Sequence, residues 1–244
     1  MDGESMKKLA AAAVIASSVV PACAGTTDDA VSDSAYISYA DGFRPYTARV
    51  KAVNKDGLTQ VATATLIADH WAITAAHVVH EVSGIVVNEH AIDRVVIHPE
   101  WNDRFGEHDI ALLHSEISFG LDFYPPLAKT RHNVGQTVSI AGYGVTGRLS
   151  RGHNEHDGLL RAGTNTIVRY ERHMMICDAR RRSSPMEFCI APGDSGGPLF
   201  ANGELAGINS LTMRDKGPLL SREGEESGHT DVSEYAAWIQ EVIK

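Results

Sequence analysis

From Tyr46 onward the chain offers only short apolar or β-branched runs, each about the length of one strand. Residues 48–53, 61–67, 85–87, 95–97, 110–113, 138–141, 166–169, 198–200 and 205–208 have this character. Turn formers divide them: Asn54-Lys55-Asp56-Gly57, Ser83-Gly84, His98-Pro99 and Asn202-Gly203. Such spacing leaves no room for the crossover helices that a parallel sheet needs, so the chain must be all-β and antiparallel, as a barrel or a sandwich. The pattern lapses over residues 121–133, where Pro125-Pro126 cannot donate to a ladder. This places a joint between two β units, the first over about residues 41–122 and the second over about 133–230. One α-helix is expected, at about 232–243. Asp231 or Ser233 can cap it, and Tyr235, Trp238, Ile239 and Val242 return at helical spacing. A chain of 244 residues can bury one large core or two small ones. Its net charge of −9 argues against a general nucleic-acid binder.

The amino-terminal end reads differently. Lys7 and Lys8 precede a mostly apolar run over residues 9–20, then Pro21-Ala22-Cys23-Ala24-Gly25. A basic start, a short apolar run and small residues describe an export leader over 1–24, cleaved after Ala24. The run is too short to anchor stably across a bilayer, and no transmembrane helix is expected. A second reading ends the leader at Ala22 and leaves Cys23 as a lipid anchor. Either way the expected location is extracytoplasmic: secreted, periplasmic or, with the lipid, an outer-membrane lipoprotein. Residues 25–40, rich in Thr, Asp, Ser and Ala, read as a flexible spacer or pro-segment. In an exported protein the remaining cysteines, Cys177 and Cys189, read as a disulfide pair. Arg180-Arg181-Arg182 between them reads as a solvated turn or a self-cleavage site.

Chemistry concentrates at Gly193-Asp194-Ser195-Gly196-Gly197-Pro198. Glycines at this density fit a sharp turn that must approach another molecule closely. Phe188 and Ile190 before it and Leu199 and Phe200 after it pin the turn between buried segments. The amides of Gly193 and Ser195 can then share one hollow suited to an oxyanion. A serine hydroxyl needs a base to become a nucleophile, and a carboxylate to orient that base. Among 12 histidines, His77 closes the apolar segment Ala72-Ile73-Thr74-Ala75-Ala76-His77. Asp109 opens another, Asp109-Ile110-Ala111-Leu112-Leu113, where a carboxylate needs a donor partner. An α/β-hydrolase elbow with Asp215 and His229 is a rival, but too little chain follows Ser195 and βα alternation is lacking. His77-Val78-Val79-His80-Glu81 lacks the order of a zinc helix, and His153-Asn154-Glu155-His156-Asp157 reads as a solvated loop. Neither a catalytic metal nor a cofactor is expected.

The segments Thr74-Ala75-Ala76-His77, Asp109-Ile110-Ala111-Leu112 and Gly193 to Pro198 resemble the signatures of the trypsin/chymotrypsin-like serine proteases, in that order. Thr65-Leu66-Ile67, Val96-Ile97-His98-Pro99-Glu100-Trp101, Ile140-Ala141-Gly142-Tyr143-Gly144, Ala206-Gly207-Ile208-Asn209-Ser210 and Thr230-Asp231-Val232 extend the resemblance over residues 45–243. It implies two six-stranded antiparallel barrels within a protease domain at 41–244, with the site in the cleft between them. It also implies His77 as general base and then acid, Asp109 as its orienter and Ser195 as the acyl-forming nucleophile. Gly193 and Ser195 would form the oxyanion hole. The implied partner is a protein or peptide substrate, taken by a monomer; a catalytically silent protease-fold binding protein is the alternative. Two departures stand out. Family members begin with Ile-Val-Gly-Gly or similar, whose amino group pairs with the acid beside the serine; Asp194 is present but no such start is seen between Asp28 and Tyr46. The cysteines usual around the histidine are replaced by Ala62 and Val78. For the specificity pocket, plain counting puts Cys189 at the base, whereas alignment on the cysteine puts Glu187 there, favouring Arg or Lys substrates. Ser210, Leu211 and Thr212 would form the wall.

Overall fold

The computed structural model describes residues 25–102, 106–155, 157–179, 184–214 and 218–244. The leader with Cys23, His156, Arg180-Arg181-Arg182 and Asp215 lie outside the described residues. The described chain opens with β1 (Thr26–Thr27) and α1 (Asp33–Ala40). Seven strands follow: β2 (Thr47–Asn54), β3 (Thr59–Ala68), β4 (Trp71–Thr74), β5 (Val82–Val87), β6 (His90–Ala91), β7 (Arg94–Ile97) and β8 (Ala111–His114). A single helical turn, α2 (Ala76–Val79), sits between β4 and β5. The strands form one antiparallel sheet in the order β6-β5-β2-β3-β4-β8-β7. Period-two alternation is visible in β2, which buries Ala48, Val50 and Ala52 and turns Lys51 outward. Asn54 makes the following turn by accepting the amides of Asp56 and Leu58 on its side-chain oxygen.

The second half holds β9 (Thr137–Gly142), β10 (Thr146–Arg148), β11 (Gly152–Glu155), β12 (Arg161–Glu171), β13 (Met174–Asp178), β14 (Phe188–Cys189), β15 (Pro198–Ala201), β16 (Glu204–Met213) and β17 (Glu226–Asp231). Six of these close a barrel in the order β12-β13-β17-β16-β15-β9. A smaller sheet runs β11-β10-β1-β14. The molecule is therefore mostly β, with two barrel-like units. The first differs from a six-stranded closed barrel: it has seven strands, and its edges β6 and β7 are not paired with each other. Residues 121–133 carry no strand, and their backbone runs beside β16 through Leu205 N–H to Pro126 O (2.8 Å) and Ala128 N–H to Leu205 O (3.0 Å).

A 3-10 turn (Val232–Glu234) leads into α3 (Ala236–Val242). Asp231 is the cap, accepting from Ser233 N–H at 3.1 Å. Val232, Tyr235 and Ile239 join the core of the first unit with Leu66, Ile73, Ile110 and Leu112. The last helix thus crosses back and packs on the amino-terminal unit. No helix among the described residues is long and apolar enough to cross a membrane.

Two sequence expectations are corrected. Residues 25–40 are not a loose spacer: β1 is inserted between β10 and β14, and α1 packs on β12. Tyr36 is fully buried, donating to Glu187 O and accepting Asp28 N–H, both at 3.0 Å. Arg161, almost wholly buried, holds Asp33 at the head of α1 through two bonds of 2.6 and 2.7 Å. Nor do Cys177 and Cys189 form a disulfide; both are buried free thiols. Cys177 packs with Phe188 and Ile167 inside the closed barrel, whereas Cys189 packs with Leu149 and Ala179. Successive residues of a strand face opposite ways, so β14 turns Phe188 toward Cys177 and Cys189 away from it. Burial pushes both thiols up.

Candidate active site

β4 delivers a buried, apolar strand that ends at Thr74, and α2 then turns His77 out so that its side chain is 40% exposed. Asp109 enters from the other side. His108, at φ 53, takes a left-handed conformation, and the chain turns tightly there, with Ile110 N–H bonded to His108 O at 2.8 Å. That turn sets the Asp109 carboxylate against His77 twice: Oδ2 lies 2.7 Å from Nδ1, and Oδ1 accepts the His77 amide at 2.9 Å. Ser210 donates a third bond, 2.6 Å from Oγ to Oδ2. The carboxylate is 3% exposed. Burial opposes its charge, but the His77 and Ser210 donors and the His77 charge outweigh burial and hold it below the usual carboxylate range. With Nδ1–H committed to Asp109, the Nε2 lone pair of His77 is the one left to act as a base.

The turn carrying Ser195 is fixed by the first unit. Thr63 of β3 donates its amide to Ser195 O (3.0 Å) and its hydroxyl to Gly193 O (2.8 Å). Thr74, three residues before His77, donates its hydroxyl to Thr63 O at 2.8 Å. Gly196 has to be glycine for this docking: its φ is +84, and a Cβ would meet Thr74 Oγ1 at 1.9 Å and Thr63 O at 2.2 Å. Ser195 is thereby seated on the strands that lead into His77. The amides along the turn divide cleanly. Asp194 N–H bonds Ala191 O, Gly196 N–H bonds Asn209 O and Gly197 N–H bonds Asp194 O. Among the described residues, the amides of Gly193 and Ser195 bond no acceptor. Two amides without an acceptor, one close before a half-exposed serine and one its own, are donors of the kind an oxyanion needs.

Behind the turn, Asp194 is wholly buried and accepts three amides: Ala191 and Gly144 at 2.8 Å and Gly25 at 2.9 Å. Burial dominates and pushes its carboxyl up to about 7 despite these donors. Gly25 also has to be glycine: its φ is +43, and a Cβ would meet the Phe188 ring at 2.2 Å. A nitrogen two residues past Cys23 thus lies against the acid beside Ser195.

The other expected site residues separate. Ser210 and Leu211 line a groove with His77, Asp109, Trp101, Asn102 and Gly106. Ser210 is also the second side-chain donor to Asp109, a role its position in the pocket wall did not announce. Thr212 pairs with Ser227 across β16 and β17. Glu187 does not open onto that groove: it is 0% exposed, accepts from Ser184 N–H and Oγ, and burial pushes its carboxyl up. Cys189 is 1% exposed, and its carbonyl faces β1. Gly25 and Thr63 escaped sequence reading because neither has a local motif; the bonds that tie each to the Ser195 turn span more than a hundred residues.

Comparison with known proteins bears on the family and the fold. The Trypsin family model matches residues 35–239. Trypsin-4 of Rattus norvegicus is 24% identical over 217 residues, which is 77% of this chain and 82% of the rat protein. Among solved structures, HL collagenase superposes with a TM-score of 0.65 at 22% identity, over 82% of this chain and 93% of its own. The inactivated protease paralogue S-I1 of the scabies mite superposes with a TM-score of 0.63 at 19% identity, over 82% and 94%. Structural likeness at these identities speaks for the fold, and the same fold serves a paralogue described as inactivated.

Proposed function

The chain belongs to the trypsin family of serine endopeptidases, and on that premise we propose that it is an exported enzyme that cleaves protein or peptide substrates with Ser195, His77 and Asp109. His77 Nε2 takes the hydroxyl proton of Ser195 as its oxygen attacks the scissile carbonyl. Asp109 holds the imidazolium that forms, while Ser210 and the His77 amide keep its carboxylate from rotating. The amides of Gly193 and Ser195 receive the oxyanion, each worth about 3–4 kcal/mol in the transition state. His77 then protonates the leaving amine, and water resolves the acyl-enzyme by the same route. The observation that carries this reading is the buried Asp109 carboxylate 2.7 Å from His77 Nδ1, with Ser195 held by Thr63 of β3, whose carbonyl accepts Thr74 at the end of the strand that feeds His77.

The same reading supplies the missing activation terminus. Cleavage of the leader after Ala24 would make the Gly25 nitrogen, 2.9 Å from Asp194 Oδ2, a charged amine. A buried carboxylate then gains a cationic partner and the turn beside it is stabilised. Maturation and activation become one event, with no Ile-Val-Gly-Gly segment needed.

Labelling with a fluorophosphonate tests the nucleophile. The mature protein should label at Ser195, and Ser195→Ala should not. Folded mature protein that resists labelling would favour a silent protease-fold binding protein instead.

A further inference from the structure

A cluster of metal-ligating side chains lies beside the site described above and shares with it only the turn at His108. Donor atoms of His98, Glu100 and His108 all fall within 4.8 Å of one another. His98 is 9% exposed, Glu100 is exposed and His108 is half-buried, so one ligand anchors the cluster from below and another opens it to solvent. The rings of His98 and His108 are stacked within 9°, their centroids 5.2 Å apart. The carboxy-terminal segment holds both. Tyr235 and Trp238 meet the His98 ring edge-to-face at 5.0 and 4.9 Å, and Tyr235 Oη lies 3.0 Å from His108 Nδ1. When Nδ1–H of His108 donates to Tyr235, the Nε2 lone pair is free and aimed, the support that metal-bound imidazoles usually have. The internal claim on a His98 lone pair is the Glu100 amide at 3.3 Å from Nδ1, a long and weak competitor. His173 stands behind, its ring 4.2 Å from His108, but its Nδ1 is taken by Glu234.

We propose that His98, Glu100 and His108 bind a divalent cation of the zinc class. Two imidazoles and one carboxylate suit zinc, nickel or copper, whereas calcium and magnesium take oxygen ligands. Three protein ligands leave a fourth position for water. The placement gives the site a consequence. His98 and Glu100 stand before, and His108 after, the segment whose Trp101, Asn102 and Gly106 line the groove beside His77. A bound cation ties the two stems of that segment together and stiffens one wall of the groove. This last step rests on the protease reading; the binding itself does not.

Calorimetry on full-length Ser195→Ala protein with zinc chloride alone tests the site. One equivalent of zinc should bind, and magnesium at the same concentration should not. Glu100→Gln and His108→Asn, the latter suited to the left-handed backbone there, should each weaken binding by about tenfold or more. His77→Ala should leave it unchanged. Hydrogen exchange of the 98–109 segment should slow when zinc is added. Absence of zinc binding would overturn the proposal, as would binding lost in His77→Ala but kept in Glu100→Gln. Exchange that zinc leaves unaltered would overturn the tying of the stems. Failure of the fluorophosphonate labelling would remove the protease reading and leave these results standing.

Discussion

The covalent state of one nitrogen should decide how stability depends on pH. With Gly25 an amide, Asp194 has three neutral donors and a folded value of about 7 against an ordinary 3.8. That displacement of roughly three pH units is worth about 4 kcal/mol, at about 1.4 kcal/mol per unit. The folded state then holds a proton that the unfolded chain has released, so stability falls as pH rises from about 4 to about 7 and stays low above that. With Gly25 a free ammonium 2.9 Å away, the carboxylate is favoured and the slope from this group disappears. The comparison is between Ser195→Ala protein beginning at Gly25 and the same protein acetylated on Gly25, each unfolded in urea at pH 4.5 and 7.5. The acetylated form should lose about 3 kcal/mol more than the free form across that interval. Asp194→Asn in the acetylated form should abolish the difference. Parallel behaviour of the two forms would refute the ion pair and, with it, activation by leader removal.

Other expectations are simpler to read. Ser210→Ala removes one of three donors to a buried carboxylate and should lower kcat/KM by the equivalent of about 1.5–3 kcal/mol, with the fold intact by circular dichroism. Ser195→Ala or His77→Ala should lower turnover by several orders of magnitude while substrate binding persists, as competition assays would report. Peptidase activity should climb with pH through the range in which an imidazole deprotonates, and a flat kcat/KM profile there would count against His77 as base. His229 is wholly buried and bonded to Asn209 and Ser227, and burial pushes it down to about 3. Its imidazole should therefore stay neutral in NMR titrations down to about pH 4, while the unfolded chain would protonate it and acid would cost stability.

The candidate site was legible because its residues travel in short strings. Asp109 opens an apolar strand, His77 closes another and Ser195 sits among glycines, so each carries its context with it. The two-unit β architecture was equally legible from strand-length runs and the Pro125-Pro126 interruption. What could not be read was anything fixed by distant partners. Residues 25–40 have the composition of a loose segment, yet Arg161, Glu187 and Asp194 supply bonds that no local pattern announces. The cysteine pairing failed for a related reason. Exported context argues for a bridge, but the facing of Cys189 depends on the register of β14 beside β1, and β1 itself was unforeseen. Glu187 was placed in a pocket by aligning the chain on Cys189, while Ser184 and the barrel wall draw it inward.

Thr63 touches two separated stretches of the second unit at once: its amide and hydroxyl reach Ser195 and Gly193, and that hydroxyl also accepts the Tyr143 amide. During synthesis this threonine emerges long before the residues it must hold. A ribosome that has released only the first unit therefore displays an imidazole and a carboxylate with no seated hydroxyl. On the proposed reading, Ser195 cannot be seated until the second unit has been made, so the assembled first unit alone has no nucleophile to offer.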